Sequence, residues 1–174
     1  MAERTYVTEA MLSVIGRPYG EMVSFPISAS DIRRWALAVY YPEEPPRLFW
    51  DEDYARTSIH GGIVAPDDFN PFAWMTAQPS GVRRRASSAA DDLFEGKLGV
   101  PGPGLQFMLN GGLEVTYSGV RMRPGDVVRT ASSIVGYRER EGRLGLMLFT
   151  TMEAAWTNQH GDLIKTQRST LIRY

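Results

Sequence analysis

Three turn signatures divide the C-terminal part of the chain, and they leave an antiparallel sheet as its natural structure. Pro124-Gly125-Asp126, Glu141-Gly142 and Asn158-Gln159-His160-Gly161 each interrupt stretches in which apolar and polar side chains alternate. Alternation at period two marks a strand with one buried face, and Gly, Pro, Asn and Asp mark the reversals. The expected strands are Leu113–Ser118, Val127 to about Arg138, one carrying Leu144, Leu146, Leu148, Met152, Ala154 and Trp156 on one face, and Leu163–Tyr174. Consecutive strands joined by such tight turns form a meander.

The N-terminal half has a different texture. Thr8 to Ile15, closed by Gly16, reads as a short helix with a glycine stop, and Met22–Ser28 alternates as a strand in which Pro26 favours an edge. Ser30 is expected to cap a helix from Asp31 to about Val39, with Ile32, Trp35, Ala36 and Val39 as its apolar stripe. Pro42, Pro45 and Pro46 then force an irregular loop. A second, strongly apolar helix is expected to begin near Pro66-Asp67-Asp68 and to carry Phe69, Phe72, Ala73 and Trp74 into a core. Residues 78–107, rich in Gly, Pro, Ser and Arg, read as a long insert or lid over the surface. A helix-bearing half followed by a meander predicts the α+β class, and 174 residues predict one domain, 1–174.

Several function classes drop out on composition. The formal charge of -1 offers no attraction for nucleic acid or an anionic membrane. With no cysteine and only His60 and His160, thiol chemistry, thiolate metal sites and multi-histidine sites are excluded, and no metal or cofactor is expected. The first residues lack the basic-then-apolar order of a signal peptide, and no apolar run approaches the roughly 18 residues that span a bilayer. The expectation is a cytoplasmic protein with neither nucleic acid nor membrane as partner.

The loop from Tyr41 to Ala55 resembles the active-site loop of MaoC-like (R)-specific enoyl-thioester hydratases and dehydratases, in which a Gly-Asp-x-Asn-Pro-Leu/Ile-His segment is followed by an acidic run and an Ala. Three further stretches are similar to that family in the same order. His60-Gly61-Gly62-Ile63-Val64-Ala65-Pro66-Asp67-Asp68-Phe69 resembles the approach to its central helix, Arg123-Pro124-Gly125-Asp126 its strand-opening turn, and Asn158 to Asp162 with Thr166 to Arg173 its last hairpin. The likeness covers most of residues 16–174 and lies nearest the FAS1-like dehydratase N-terminal branch, including its non-catalytic subunit type. It implies a hot-dog fold, a long antiparallel sheet wrapped around a central apolar helix.

The resemblance also implies where chemistry would sit. Aligning the acidic run puts Glu44 at the family's catalytic Asp and Phe49 at its His. Glu44 is then a catalytic or water-positioning group, or else an exposed loop carboxylate. Phe49 cannot transfer a proton and is expected to pack beside an acyl channel. His60, the histidine nearest the expected site, is the second catalytic candidate, with turn hydrogen bonding as the plain alternative. Gly61, Gly62 and Asp67 are placed near the thioester carbonyl, where backbone N–H groups stabilise enolate charge. Asp67 and Asp68 equally suit a helix start. Arg83 and Arg84 suit the phosphates of coenzyme A or of a carrier's pantetheine arm, or else a solvated loop.

Two main functions follow as expectations. One is an enoyl hydratase or 3-hydroxyacyl dehydratase component acting on acyl-CoA or acyl-carrier-protein thioesters, forming the tunnel while a second hot-dog chain supplies the Asp/His pair. The other is a non-catalytic acyl-thioester-binding hot-dog homodimer. A third is a self-sufficient hydratase or thioesterase using Glu44 and His60. A homodimer or a heteromer fits any sheet with open edges.

Overall fold

A computed structural model describes residues 5–73 and 94–174. The chain forms α1 (Glu9–Leu12), β1 (Pro18–Val23), α2 (Ala29–Tyr40), a 3-10 turn at Arg47–Phe49, α3 (Glu52–Thr57), α4 (Phe94–Lys97), β2 (Met108–Tyr117), β3 (Arg129–Gly142), β4 (Gly145–Thr157) and β5 (Leu163–Arg173). The strands make one antiparallel sheet in the order β1-β3-β4-β5-β2. The α+β class and the long meander are therefore as the alternation implies. Gln159 links two of the turns, accepting the Val127 N–H at 3.0 Å and donating to Asp126 at 3.1 Å. Asp126 also accepts the Arg123 N–H at 2.8 Å, which makes it the turn residue its setting suggests.

The N-terminal elements shift from their sequence positions for identifiable reasons. Helix α2 is capped by Ser28 rather than Ser30, because the Ser28 hydroxyl accepts the Asp31 N–H at 3.1 Å and starts the helix two residues earlier. β1 occupies an edge, as expected, but ends at Val23, so Pro26 lies beyond it. The helix expected from Pro66 does not begin there. Residues 67–72 form turns, with the Phe69 N–H bonded to Pro66 O at 3.0 Å and a 3-10 turn opening at Ala73. Phe69 and Phe72 are nonetheless buried; Trp74 lies outside the described residues.

Two apolar clusters hold the elements to the sheet. The larger joins Ile32 and Ala36 of α2, Ala55 of α3, Val64 and Phe69 to Val128, Trp156 and Ile164 of the sheet side. Phe72 meets Trp156 edge-on at 4.9 Å and Trp35 meets Phe69 at 5.6 Å. The smaller packs Val14 and Leu98 on Ile134 and Met152.

Beside the smaller cluster lies a buried ion pair. Arg173 reaches Glu95 with two hydrogen bonds, 3.0 and 2.6 Å, and donates to the Thr150 hydroxyl at 2.6 Å; Tyr137 donates to the same carboxylate at 3.0 Å. Both charges are at least 98% excluded from solvent. Part of the 78–107 stretch thus dives into the sheet instead of crossing the surface, because Arg173 needs a buried counter-charge. Burial pushes the Glu95 carboxyl up, but the Arg173 bonds and charge, aided by Tyr137, outweigh it and leave it below the usual carboxylate range. Glu95→Gln leaves the guanidinium uncompensated and is expected to cost about 3–5 kcal/mol by urea unfolding. Since the folded carboxyl is the stronger acid, its stabilisation is complete above the unfolded range near pH ~4.3 and is lost as pH falls through the folded pKa. The variant should lack that component of acid sensitivity.

Candidate functional site

The loop after α2 is held by its own residues. The Trp50 indole N–H donates to Pro45 O at 3.0 Å, and Asp51 both caps α3 through the Tyr54 N–H at 3.0 Å and takes the Arg47 guanidinium at 2.9 and 2.6 Å. The cap bond first and Arg47 second hold the Asp51 carboxyl below its ordinary range, so the acidic run is a helix start. This architecture turns Phe49 inward. It is buried and meets Tyr40 at 6.0 Å between ring centroids.

After α3 the chain runs through the core towards the sheet. The Ser58 hydroxyl accepts the His60 N–H at 3.1 Å, and Gly61, at φ +66, closes the turn onto Ser58 O at 3.0 Å. Ile63 to Pro66 are buried, and the Ala65 N–H bonds Met122 O at 2.8 Å. Asp67 and Asp68 then emerge. Among the described residues their own N–H groups have no hydrogen-bond partner.

These segments meet at a cleft of about 390 Å³ lined by Val39, Tyr40, Phe49, Pro66, Asp67, Asp68, Tyr117 and Arg121. Val39, expected on the buried stripe of α2, is 49% exposed because it faces this opening. Arg121 pairs with Asp67 at 2.5 Å. Desolvation first, then Asp67 and Asp68, push the Tyr117 hydroxyl above its usual range. Below the cleft lies Lys165, with its ammonium 4.2 Å from the Trp156 ring centroid and 3.3 Å from Asp67 O. Burial pulls this ammonium's pKa down, against Asp68 and Asp67, which push it up.

The sequence candidates are thus partly assembled. Phe49 and Asp67 share the cleft. Gly61 and Gly62 open on an adjoining groove with Ala29, Glu52, Arg56, Ile63 and Pro124. Glu44 is exposed and lines a shallow groove with Arg33, Leu37, Pro45 and Trp50. His60 is half-buried and no hydrogen bond joins it to Glu44. Arg83 and Arg84 lie outside the described residues. Among the described residues no three acidic or histidine side chains converge as a metal site, and no helix is long and apolar enough to cross a membrane.

Nothing in the sequence pattern singles out Tyr117, Arg121 or Lys165. Lys165 faces inward because Ile164 is an extra residue in β5, opposite the step from Trp156 to Thr157, so that Ile164 and Lys165 are both buried. Simple alternation would send one of them outward.

Comparison with known proteins agrees with this architecture. Residues 13–167 match the family described as FAS1-like, dehydratase domain region. No curated protein matches the sequence. Among solved structures, the ChsH1-ChsH2 complex from Mycobacterium tuberculosis is similar at TM-score 0.66 and 18% identity, covering 95% of this chain and 89% of the other. A MaoC-like dehydratase from Rhodospirillum rubrum is similar at TM-score 0.53 and 19% identity, over 90% and 91%. The HadBC (3R)-hydroxyacyl-ACP dehydratase complex from Mycobacterium tuberculosis gives 0.54 and 18%, over 87% and 95%. The shared architecture is the hot-dog fold.

Phe49 closes the core side of the cleft, so its removal tests how far the cleft depends on packing. Phe49→Ala is expected to lose about 3–5 kcal/mol in denaturant unfolding, whereas Glu44→Ala, on the exposed loop, should stay within about 0.5 kcal/mol.

Proposed function

Because the chain belongs to the FAS1-like dehydratase domain family, we propose that it is the tunnel-forming subunit of an enoyl-thioester hydratase or 3-hydroxyacyl-thioester dehydratase, and that a second hot-dog chain supplies the acid–base pair. The observation that carries this reading is Phe49. An aromatic ring that can neither give nor take a proton lines the cleft at the position the loop resemblance assigns to histidine. Glu44, aligned with the family's Asp, opens on a different groove.

What remains in the cleft suits binding and charge stabilisation. The unpartnered N–H groups of Asp67 and Asp68 offer donors for a thioester oxygen on which enolate charge develops. In the proposed assembly the partner's Asp/His pair holds the water, adds its OH at the β-carbon and returns its proton at the α-carbon; dehydration is the reverse. Such acid–base help supplies about 10²- to 10⁴-fold. The substrate is an acyl thioester of coenzyme A or of a carrier protein.

The surface for a partner is consistent with β2. This ten-residue strand bonds β5 on one side only and exposes Leu109, Leu113 and Tyr117, with Phe107 just before it. A long apolar edge strand invites pairing with another chain. Two of the structurally similar proteins are named as two-chain complexes, ChsH1-ChsH2 and HadBC.

The test is hydration of enoyl-CoAs, followed by loss of thioester absorbance, for the chain alone and with the hot-dog protein encoded beside its gene. Activity in the mixture only is the expected result. Full activity of the lone chain, abolished by Glu44→Gln or by replacing His60, would establish self-sufficient catalysis instead. Stable acyl-CoA binding without activity in any mixture would leave the binding homodimer. A lysine at Leu113, 62% exposed on β2, is expected to abolish complex formation in gel filtration while shifting the chain's own stability by less than about 0.5 kcal/mol.

A further inference from the structure

A row of side chains crosses the inner face of the sheet in register: Thr130 on β3, Trp156 on β4, Lys165 on β5 and Tyr117 on β2. Cross-strand partners share a face, so all four stand on one side of the sheet, where Thr130, Trp156 and Lys165 are buried and Tyr117, on the edge strand, is exposed. Tyr117 lines the cleft, and Lys165 stands one strand further in, about 5 Å along the hydrogen-bonding direction.

Lys165 is in an unusual position for a lysine. It is 2% exposed, and among the described residues its three donors find one acceptor, Asp67 O, at a long 3.3 Å. Among the described residues it forms no ion pair, and the Asp67 carboxylate is engaged by Arg121. A buried charge with unused donors is costly unless something satisfies them. Thr130, on the same row, likewise has a buried hydroxyl with no partner. The inner face at this level therefore holds unspent hydrogen-bonding capacity in a setting otherwise formed by Trp156, Phe72 and Ile164.

We propose that Lys165 determines acyl specificity in the cleft, donating through its ammonium to a hydroxyl or keto oxygen on the acyl chain of the thioester. This deepens the function proposed above and rests on it. A neutral oxygen fits better than a carboxylate. Arg121 and Lys165 already offset the charges of Asp67 and Asp68, so a further anion would itself be left uncompensated. A plain alkyl chain, conversely, would leave the ammonium without an acceptor. The lowered pKa agrees with this solvation deficit.

Lys165→Met keeps most of the apolar stem of the side chain while removing the ammonium, with its donors and its contact with the Trp156 ring. The assembled two-chain protein is assayed with trans-2-octenoyl-CoA and with analogues bearing a hydroxyl or keto group beyond the double bond. The expected result is that the wild type prefers an oxygenated analogue and that Lys165→Met lowers kcat/KM for it about tenfold or more while raising, or at least not lowering, that for the plain substrate. Thermal unfolding of the variant should be unchanged or raised, since a desolvated charge has been removed. Equal loss on both substrates, no change on either, or a lowered unfolding temperature would overturn the proposal and make Lys165 a structural cation. If the wild-type assembly hydrates neither substrate, the function itself fails. The specificity is then read from thermal stabilisation of the chain by saturated octanoyl-CoA and its oxygenated analogues, where a preference lost in Lys165→Met still supports it and an absent preference overturns it.

Discussion

The buried contact between Glu95 and Arg173 decides where the two ends of the fold meet. Arg173 is the last residue of β5, and Glu95 opens the chain's return to the sheet in α4. An arginine this deep must be paired in place, since attraction in a low-dielectric interior offsets desolvation only with close geometry and satisfied donors. Thr150 and Tyr137 complete that geometry from β4 and β3. With α4 fixed there, Leu98 falls onto Ile134 and Met152, and the chain enters β2 at Met108 in register with Arg173. The position of β2, and with it Tyr117 at the cleft, follows from that anchoring.

The other end of the inner face has the opposite character. The Glu95 site is closed, since three strands and a helix supply partners to nearly every polar atom. Among the described residues the Lys165 level is less fully bonded, with an ammonium holding one long hydrogen bond, a hydroxyl with none, and the unpartnered N–H groups of Asp67 and Asp68 at the cleft lined by those residues. A fold tends to satisfy buried polar groups wherever only stability is at stake. Trp35 Nε1 and Arg173 Nε lack partners among the described residues as well, so the case for a bound molecule rests on Lys165 and the Asp67–Asp68 turn, which lie beside the place where Phe49 and Asp67 meet.

Much of the scaffold is legible in the sequence because its rules are local. The turns at Pro124, Glu141 and Asn158 fix strand ends by backbone chemistry, and alternation of Leu148, Met152 and Trp156 fixes the inward face. The helix expected at Pro66 is not seen at residues 66–72, because the acidic pair that resembles a helix start serves turns, with Asp67 drawn to Arg121. Lys165 and Glu95 are illegible for a different reason. One depends on a bulge that breaks period two, the other on a partner 78 residues away, and neither leaves a local pattern. Of the site, the loop resemblance leads to Phe49 and the His60–Phe69 resemblance to Asp67, while Tyr117 and Arg121 come to the cleft only through the register of β2 and the connection that follows it.

A divided active site is physically reasonable because the two halves of such chemistry are separable. Charge stabilisation needs donors rigidly placed where the enolate oxygen develops, and backbone N–H groups in a turn held by buried Pro66 and Phe69 meet that need without any particular side chain. Proton transfer needs an acid and a base of matched pKa at hydrogen-bond distance from the α- and β-carbons. A chain that keeps the first requirement and gives up the second could place an aromatic ring where the histidine would stand, the role proposed for Phe49, which packs against Tyr40, and gain apolar contact instead of keeping a polar ring solvated. In the proposed assembly the gain would be stability and tunnel wall in this chain, and the cost would be dependence on a partner that meets it at β2.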